Sequence, residues 1–177
     1  MKSNVAIRAV RAGEWAGVRD IRLRALEGSP DAFGAAFADE RSMPDRVWIE
    51  RTGRYAQGGD STAFVAESRE GWIGFVMGRV EELDRTRAGL YGLWVDPAAR
   101  AAGVGLALTE AVIDWARAQG AKTLALWVVA SNSSAVELYR RAGFDESGAT
   151  MPMPRKPDLQ EIQMAKDLAE PTSERGS

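Results

Sequence analysis

Apolar and polar positions change their period several times along this chain, and each change predicts an element. Asn4 to Val10 alternates as a half-buried strand does. From Gly13-Glu-Trp onward, Trp15, Val18, Ile21, Leu23 and Leu26 recur mostly on one broad helical face, until Gly28-Ser-Pro30 stops the helix. Asp31 to Phe37 reads as an apolar loop or short turn, and a second helix is predicted over roughly 39–53, carrying Val47, Trp48 and Ile49. Gly58-Gly-Asp60 marks a loop. Strands are predicted near 62–68, 72–80 and 88–95, the first two joined at Arg69-Glu-Gly71 and the third following the polar turn Glu81 to Arg87. These three make an antiparallel meander.

From 104 the pattern becomes helical again, with Val104, Leu108, Ala111, Val112 and Trp115 in phase until Gly120. The compact run Thr123 to Val129 is a buried strand, so a strand, helix, strand crossover is implied. Ser131-Asn132 can cap a further helix bearing Ala135, Leu138 and Tyr139, which Gly143 ends. Two final strands are expected near 143–149 and 159–166, separated by the proline-rich stretch Met151 to Pro157. A single domain over 1–168 follows, with a polar tail at 169–177 expected to be disordered.

Composition narrows the chemistry. The chain has 177 residues, 45% of them hydrophobic and 27% charged, which is ordinary for a globular domain. No apolar run approaches the roughly 20 residues of a membrane span, and Met1-Lys-Ser-Asn is not followed by an apolar leader, so the expected compartment is the cytoplasm. Cysteine and histidine are both absent, which excludes disulfide scaffolds, thiolate nucleophiles, histidine-dependent triads and the usual zinc sites. No metal is expected. A net charge of −2 gives no pull toward nucleic acid.

The densest signal is Arg100-Ala101-Ala102-Gly103-Val104-Gly105, lying between the apolar stretch Leu90 to Val95 and an amphipathic helix. Glycines let backbone N–H groups close on an anion, and the first helical turn adds unsatisfied donors and the positive end of its dipole. As a dinucleotide fingerprint the turn fails, because Leu106, Ala107 and Leu108 supply no third glycine. Asn132 is readable as a plain helix cap or as a cap that also touches ligand. Tyr139 is readable as an amphipathic core residue or as a proton donor.

Two motifs together resemble the GNAT superfamily of N-acetyltransferases, most strongly over Leu90 to Phe144, about a third of the chain. One is Val95-Asp-Pro-Ala-Ala-Arg100-Ala-Ala-Gly103-Val-Gly105-Leu-Ala-Leu; the other is Asn132-Ser-Ser-Ala135-Val-Glu-Leu138-Tyr139-Arg-Arg-Ala-Gly143-Phe144. The resemblance implies an α/β (α+β) fold: a mixed, mostly antiparallel sheet of six to seven strands with about four helices and splayed central strands. It implies acetyl-CoA as cofactor, with Arg100, Ala101, Ala102, Gly103, Val104, Gly105 and Leu106 around the pyrophosphate. Leu93, Trp94 and Val95 would pair with pantetheine like an added strand. Asn132 and Ala135 would touch the same arm. Tyr139, seven residues and about two turns beyond Asn132, would protonate the departing thiolate.

In that family an amine attacks the thioester directly, so the lack of cysteine fits. Many relatives carry a carboxylate on the strand before the turn, at positions near Tyr91 or Gly92, whereas this chain has none from Ala88 to Val95. Glu81, Glu82, Asp84, Glu27 and Asp31 lie nearby without being singled out, and a water relay serves equally well. The acceptor loops correspond to 28–38 and 149–158, which are apolar, with Phe33, Phe37, Trp94 and Tyr91 expected around the pocket. Trp15, Trp48 and Trp115 are expected in the core. Arg140-Arg141 reads as a solvated helix end with a secondary role at a nucleotide phosphate. A small-molecule amine is the expected acceptor, with a protein N-terminus or lysine as the alternative. A non-catalytic acetyl-CoA sensor and a plain nucleotide-binding domain remain open beside them. A homodimer is expected, because relatives are frequently dimeric and exposed strand edges can pair.

Overall fold

The structure, a computed structural model, describes residues 5–169, so nearly all of the polar tail lies outside the described residues. In chain order the elements are β1 (Ala6–Ala9), α1 (Trp15–Gly28), α2 (Phe37–Arg41), α3 (Asp45–Gln57), β2 (Ser61–Ser68), β3 (Gly71–Val80) and β4 (Arg87–Val95). There follow α4 (Val104–Ala118), β5 (Thr123–Val129), α5 (Ser133–Arg141), β6 (Asp145–Met153) and β7 (Lys156–Asp167). One seven-stranded sheet runs β1-β2-β3-β4-β5-β7-β6. Among the described residues only β4 and β5 pair in parallel, and α4 makes the crossover between them. Among the described residues no helix is long and apolar enough to cross a membrane.

Each face of the sheet has its own core. Leu108 and Val112 of α4 pack with Val76, Leu124, Phe144 and Met164 on one side. Ile21 of α1 and Trp48 of α3 pack with Val65, Phe75 and Trp94 on the other. Trp115 belongs to the first core and donates its indole N–H to the Gly58 carbonyl at 2.9 Å.

Two expectations are corrected. The helix predicted over 39–53 is two helices, α2 and α3, broken at Ser42-Met43-Pro44. Pro44 disfavours helical geometry at Met43 and has no N–H to donate, so it can only begin the next helix. The helix count therefore rises from about four to five. The proline-rich stretch does not separate the last two strands either: Pro152 lies within β6 and Pro157 within β7, with the turn at Pro154-Arg155. β6 is an edge strand, where a residue without an N–H leaves no partner unpaired.

β4 carries an irregularity that shapes everything downstream. Trp94 pairs with Phe75 and Tyr91 with Met77, so Gly92 and Leu93 stand opposite Val76 alone. This is a β-bulge. Gly92 has φ +62°, the left-handed region, and a Cβ there would meet the Met77 terminal methyl at 2.6 Å. Bulges increase local twist, and β4 keeps register with β5 only at Arg87, Ala88 and Gly89. Beyond Gly89 the two central strands part.

Arg8 ties the sheet edge to α1 by bonding Glu67 at 2.7 Å and Glu14 at 2.9 Å. Its hydrogen bond is the main cause that holds the Glu14 carboxyl below its ordinary range. A depressed folded-state pKa contributes stability above the unfolded value, and that contribution is lost as pH falls through the folded one. Arg8→Met is therefore expected to lower thermal stability at pH 7, with a smaller deficit at about pH 3, below the ordinary glutamate value. Melting curves at the two pH values check this.

Candidate active site

The end of β4 is fixed before the turn begins. Asp96 donates its N–H to the Ile73 carbonyl at 2.8 Å, accepts from the Ala98 N–H at 3.0 Å, and takes Arg24 of α1 at 2.9 Å. Arg100 then folds back, donating from Nε to the Val95 carbonyl at 3.0 Å. Ala101 and Gly103 are both left-handed, at φ +64° and +81°, which turns the backbone sharply into α4. Gly103 is the N-cap and supplies no side-chain bond. The first backbone bond into α4 comes from the Ala107 N–H, leaving the N–H groups of Val104, Gly105 and Leu106 ahead of it without helical acceptors. A helix start left open by a glycine cap is suited to an anion.

The strand edge beside this turn is open as well, apart from the Val95 carbonyl that Arg100 holds. The Trp94 and Asp96 backbones are directed to β3, so alternation directs Leu93 and Val95 toward the gap that β5 has left. An extended amide-bearing ligand can pair there as an added strand. Of the three strand residues expected at pantetheine, the geometry thus favours Leu93 and Val95. The Trp94 side chain is 6% exposed in the α1 core beneath Arg24, whose guanidinium lies 5.3 Å from the ring centroid.

On the α1 and α3 side of the parted strands lies a cavity of about 750 Å³. It is walled by Tyr91 and Leu93 of β4, Trp127 of β5, Phe33 and the tip of α5. The Asn132 side-chain oxygen caps α5, accepting from the Ala135 N–H at 3.3 Å, and this leaves its amide nitrogen free to serve the cavity. Tyr139 is 7% exposed, and its ring packs edge-on against Phe144 with centroids 5.8 Å apart. Burial pushes its phenol well above the ordinary tyrosine value, so the group remains a protonated donor. Among the described residues its hydroxyl has no hydrogen-bond partner. Ala135 lines the same wall.

The structure brings Tyr91, Leu93, Asn132, Ala135, Tyr139 and Phe33 to one cavity. It keeps Phe37 away, at the start of α2 with the Arg41 guanidinium over its ring. Phe33 instead sits under Arg22, which a buried Glu40 grips through two bonds of 3.1 and 3.0 Å. Of the five carboxylates noted near the site, only Glu82 reaches the cavity, where it is exposed and paired with Arg79. Glu81 pairs with Arg87, Asp84 caps Thr86, Asp31 binds Lys156, and Glu27 faces solvent. Arg140 pairs with Glu146.

Three features were not anticipated from the sequence. The Gly92 bulge had a signal, since a glycine inside a strand often marks one. Arg51 and Arg54 of α3 face the cavity, and unlike Arg22, Arg79 and Arg85 they have no ion-pair partner among the described residues. Glu161 of β7 lines the cavity from the opposite wall.

Residues 17–144 match the acetyltransferase (GNAT) family. The chain belongs to this family. It is similar to a mycothiol acetyltransferase of Amycolatopsis mediterranei, with 30% identity over 152 residues, covering 81% of this chain and 47% of that protein. It thus spans about half the length of this curated relative. It is also similar to the [ribosomal protein bS18]-alanine N-acetyltransferase of Escherichia coli, with 34% identity over 64% of this chain and 74% of that protein. The fold matches that of yncA from Salmonella typhimurium, solved with its cofactor acetyl-CoA, at a TM-score of 0.74 and 20% identity over 99% of this chain and all of the other.

Proposed function

We propose that this GNAT chain moves an acetyl group from acetyl-CoA directly to the primary amine of a small molecule. The observation that carries the reading is one continuous path: the uncapped start of α4, then the edge of β4 at Leu93 and Val95, then the cavity holding Asn132 and Tyr139. When bound, acetyl-CoA supplies an acetyl thioester reactive toward amines. The N–H groups of Val104, Gly105 and Leu106, with those of the turn from Arg100 to Gly103, meet the pyrophosphate. Leu93 and Val95 hold the pantetheine amides, and the Asn132 amide and the Ala135 surface flank that arm. A backbone donor at Val95 can meet charge that develops on the acetyl oxygen. Tyr139 delivers its proton to the sulfur as it leaves.

The acceptor class rests on the cavity. Its volume falls within the roughly 300–1,000 Å³ of small-molecule sites, and Phe33, Tyr91 and Trp127 provide an apolar body. Arg51 and Arg54, without ion-pair partners, favour acceptors that carry an anionic group away from the amine. A peptide N-terminus is the second reading, favoured by the likeness to an enzyme whose name specifies the alanine of a ribosomal protein.

Incubation with acetyl-CoA and a mixed panel of small amines and short peptides, followed by mass spectrometry of the acetylated products, separates these readings. Acetylation confined to small amines supports the proposal. Acetylation confined to peptides transfers it to the second reading, and binding of acetyl-CoA without any product leaves a sensor.

The turn offers a further check. Gly103→Ala forces a Cβ into the left-handed region at about 1 kcal/mol. It is expected to weaken acetyl-CoA binding about fivefold by calorimetry, while Gly103→Asn, which tolerates that region better, loses less.

A further inference from the structure

Glu161 differs from every other carboxylate in the cavity. Its cross-strand neighbours are Val129 of β5 and Met151 of β6, both apolar. It is 8% exposed, and among the described residues it has neither a hydrogen bond nor an ion pair. Asp60 and Glu82, the other carboxylates of the lining, are exposed and paired with Arg85 and Arg79. A buried, unpartnered carboxylate is unfavourable unless a cation or a proton joins it. The wall that holds it also holds Trp127, Asn132 and Tyr139. Of the carboxylates lining the cavity, Glu161 alone has no partner among the described residues.

We propose that Glu161 is the general base of the reaction, and that the cation it lacks in the free protein is the ammonium group of the acceptor. This rests on the acetyl-transfer reading above. Glu161 takes the ammonium proton. The freed nitrogen lone pair forms the C–N bond, and the C–S bond breaks with its electron pair going to sulfur. Tyr139 protonates that sulfur, and the surplus proton on nitrogen returns to the Tyr139 oxygen. Glu161 then releases its proton to water, so the products are an acetamide, the free thiol of CoA and one proton.

The surroundings suit that role. Burial alone pushes the Glu161 carboxyl above its usual range, toward the pH at which a base works best. Leu159 and Gln163, next on the same face of β7, carry no charge. From α5 the cavity offers only Tyr139 as a titrating group. From the facing elements it offers Tyr55 and Tyr91, both with phenols raised by burial, the five arginines Arg22, Arg51, Arg54, Arg79 and Arg85, and the paired Asp60 and Glu82.

The test compares wild type with Glu161→Gln and Glu161→Asp. For an ordinary alkylamine, kcat/KM is expected to fall about 10²-fold in the glutamine variant, with the KM for acetyl-CoA unchanged and the acid limb of the pH profile due to this group lost. Calorimetric binding of the same amine without acetyl-CoA is expected to weaken about tenfold, a readout independent of turnover. The aspartate variant keeps the acid limb at a lower rate. Wild-type rates, an unchanged limb and unchanged amine binding in Glu161→Gln overturn the proposal. So does loss of acetyl-CoA affinity in both variants, which would assign Glu161 to folding. A wild-type protein without amine-dependent CoA release defeats the acetyl-transfer reading instead, while the binding comparison still decides whether Glu161 receives an ammonium.

Discussion

Tyr139→Phe is expected to lower kcat by about 10²-fold or more while leaving the melting temperature and the KM for acetyl-CoA nearly unchanged. The substitution removes one hydroxyl that bonds to nothing in the described protein, and the ring keeps its packing on Phe144. On the proposed mechanism, what is lost is the proton for the departing sulfur. The deficit should shrink with acetyl thioesters of more acidic thiols, which leave without protonation. Because burial raises the Tyr139 phenol, the wild type should also retain activity to about pH 10, the value at which an ordinary tyrosine loses its proton. An equal loss with every leaving group would point to a packing role for the hydroxyl.

Phe144→Ala should lower stability by about 3–5 kcal/mol. Phe144 is fully buried, its N–H bonds the Tyr139 carbonyl at 3.0 Å, and its ring supports that of Tyr139. Truncation opens a cavity beneath Tyr139, the proposed proton donor, so kcat should fall even at temperatures where the variant is folded. Phe144→Leu should recover most of the stability and less of the rate, because it fills volume without restoring the edge-on ring contact. Chemical denaturation and initial rates on the same preparations separate the two effects.

What could be read from the sequence follows the range of the interactions involved. The turn from Arg100 to Gly105 and the cap at Asn132 are local: glycine conformations, helix starts and short polar side chains carry their own geometry. The strands and helices from 61 to 143 were placed to within one or two residues for the same reason. The break at Pro44 was also local, yet the apolar phase of Val47, Trp48 and Ile49 outweighed it. Proline is compatible with strand only where no partner needs an N–H: Pro152 lies on the edge strand β6 and Pro157 in the part of β7 that precedes its pairing with β5, and both placements are decided by the whole sheet. Glu161 was illegible for a related reason. Its burial comes from the register of β7 against Val129 and Met151, which no local window contains. The Phe37 ring was misjudged by four residues of loop geometry, whereas Phe33 reached the cavity.

The most direct measurement is amine-dependent release of free CoA from acetyl-CoA, followed with a thiol reagent for wild type and Tyr139→Phe side by side. The chain has no cysteine, so the protein contributes no thiol of its own. The account predicts rapid release that requires both acetyl-CoA and an amine, and that falls about 10²-fold in the variant. Tight binding of acetyl-CoA with no release for any amine, or release that is the same in both proteins, would contradict it.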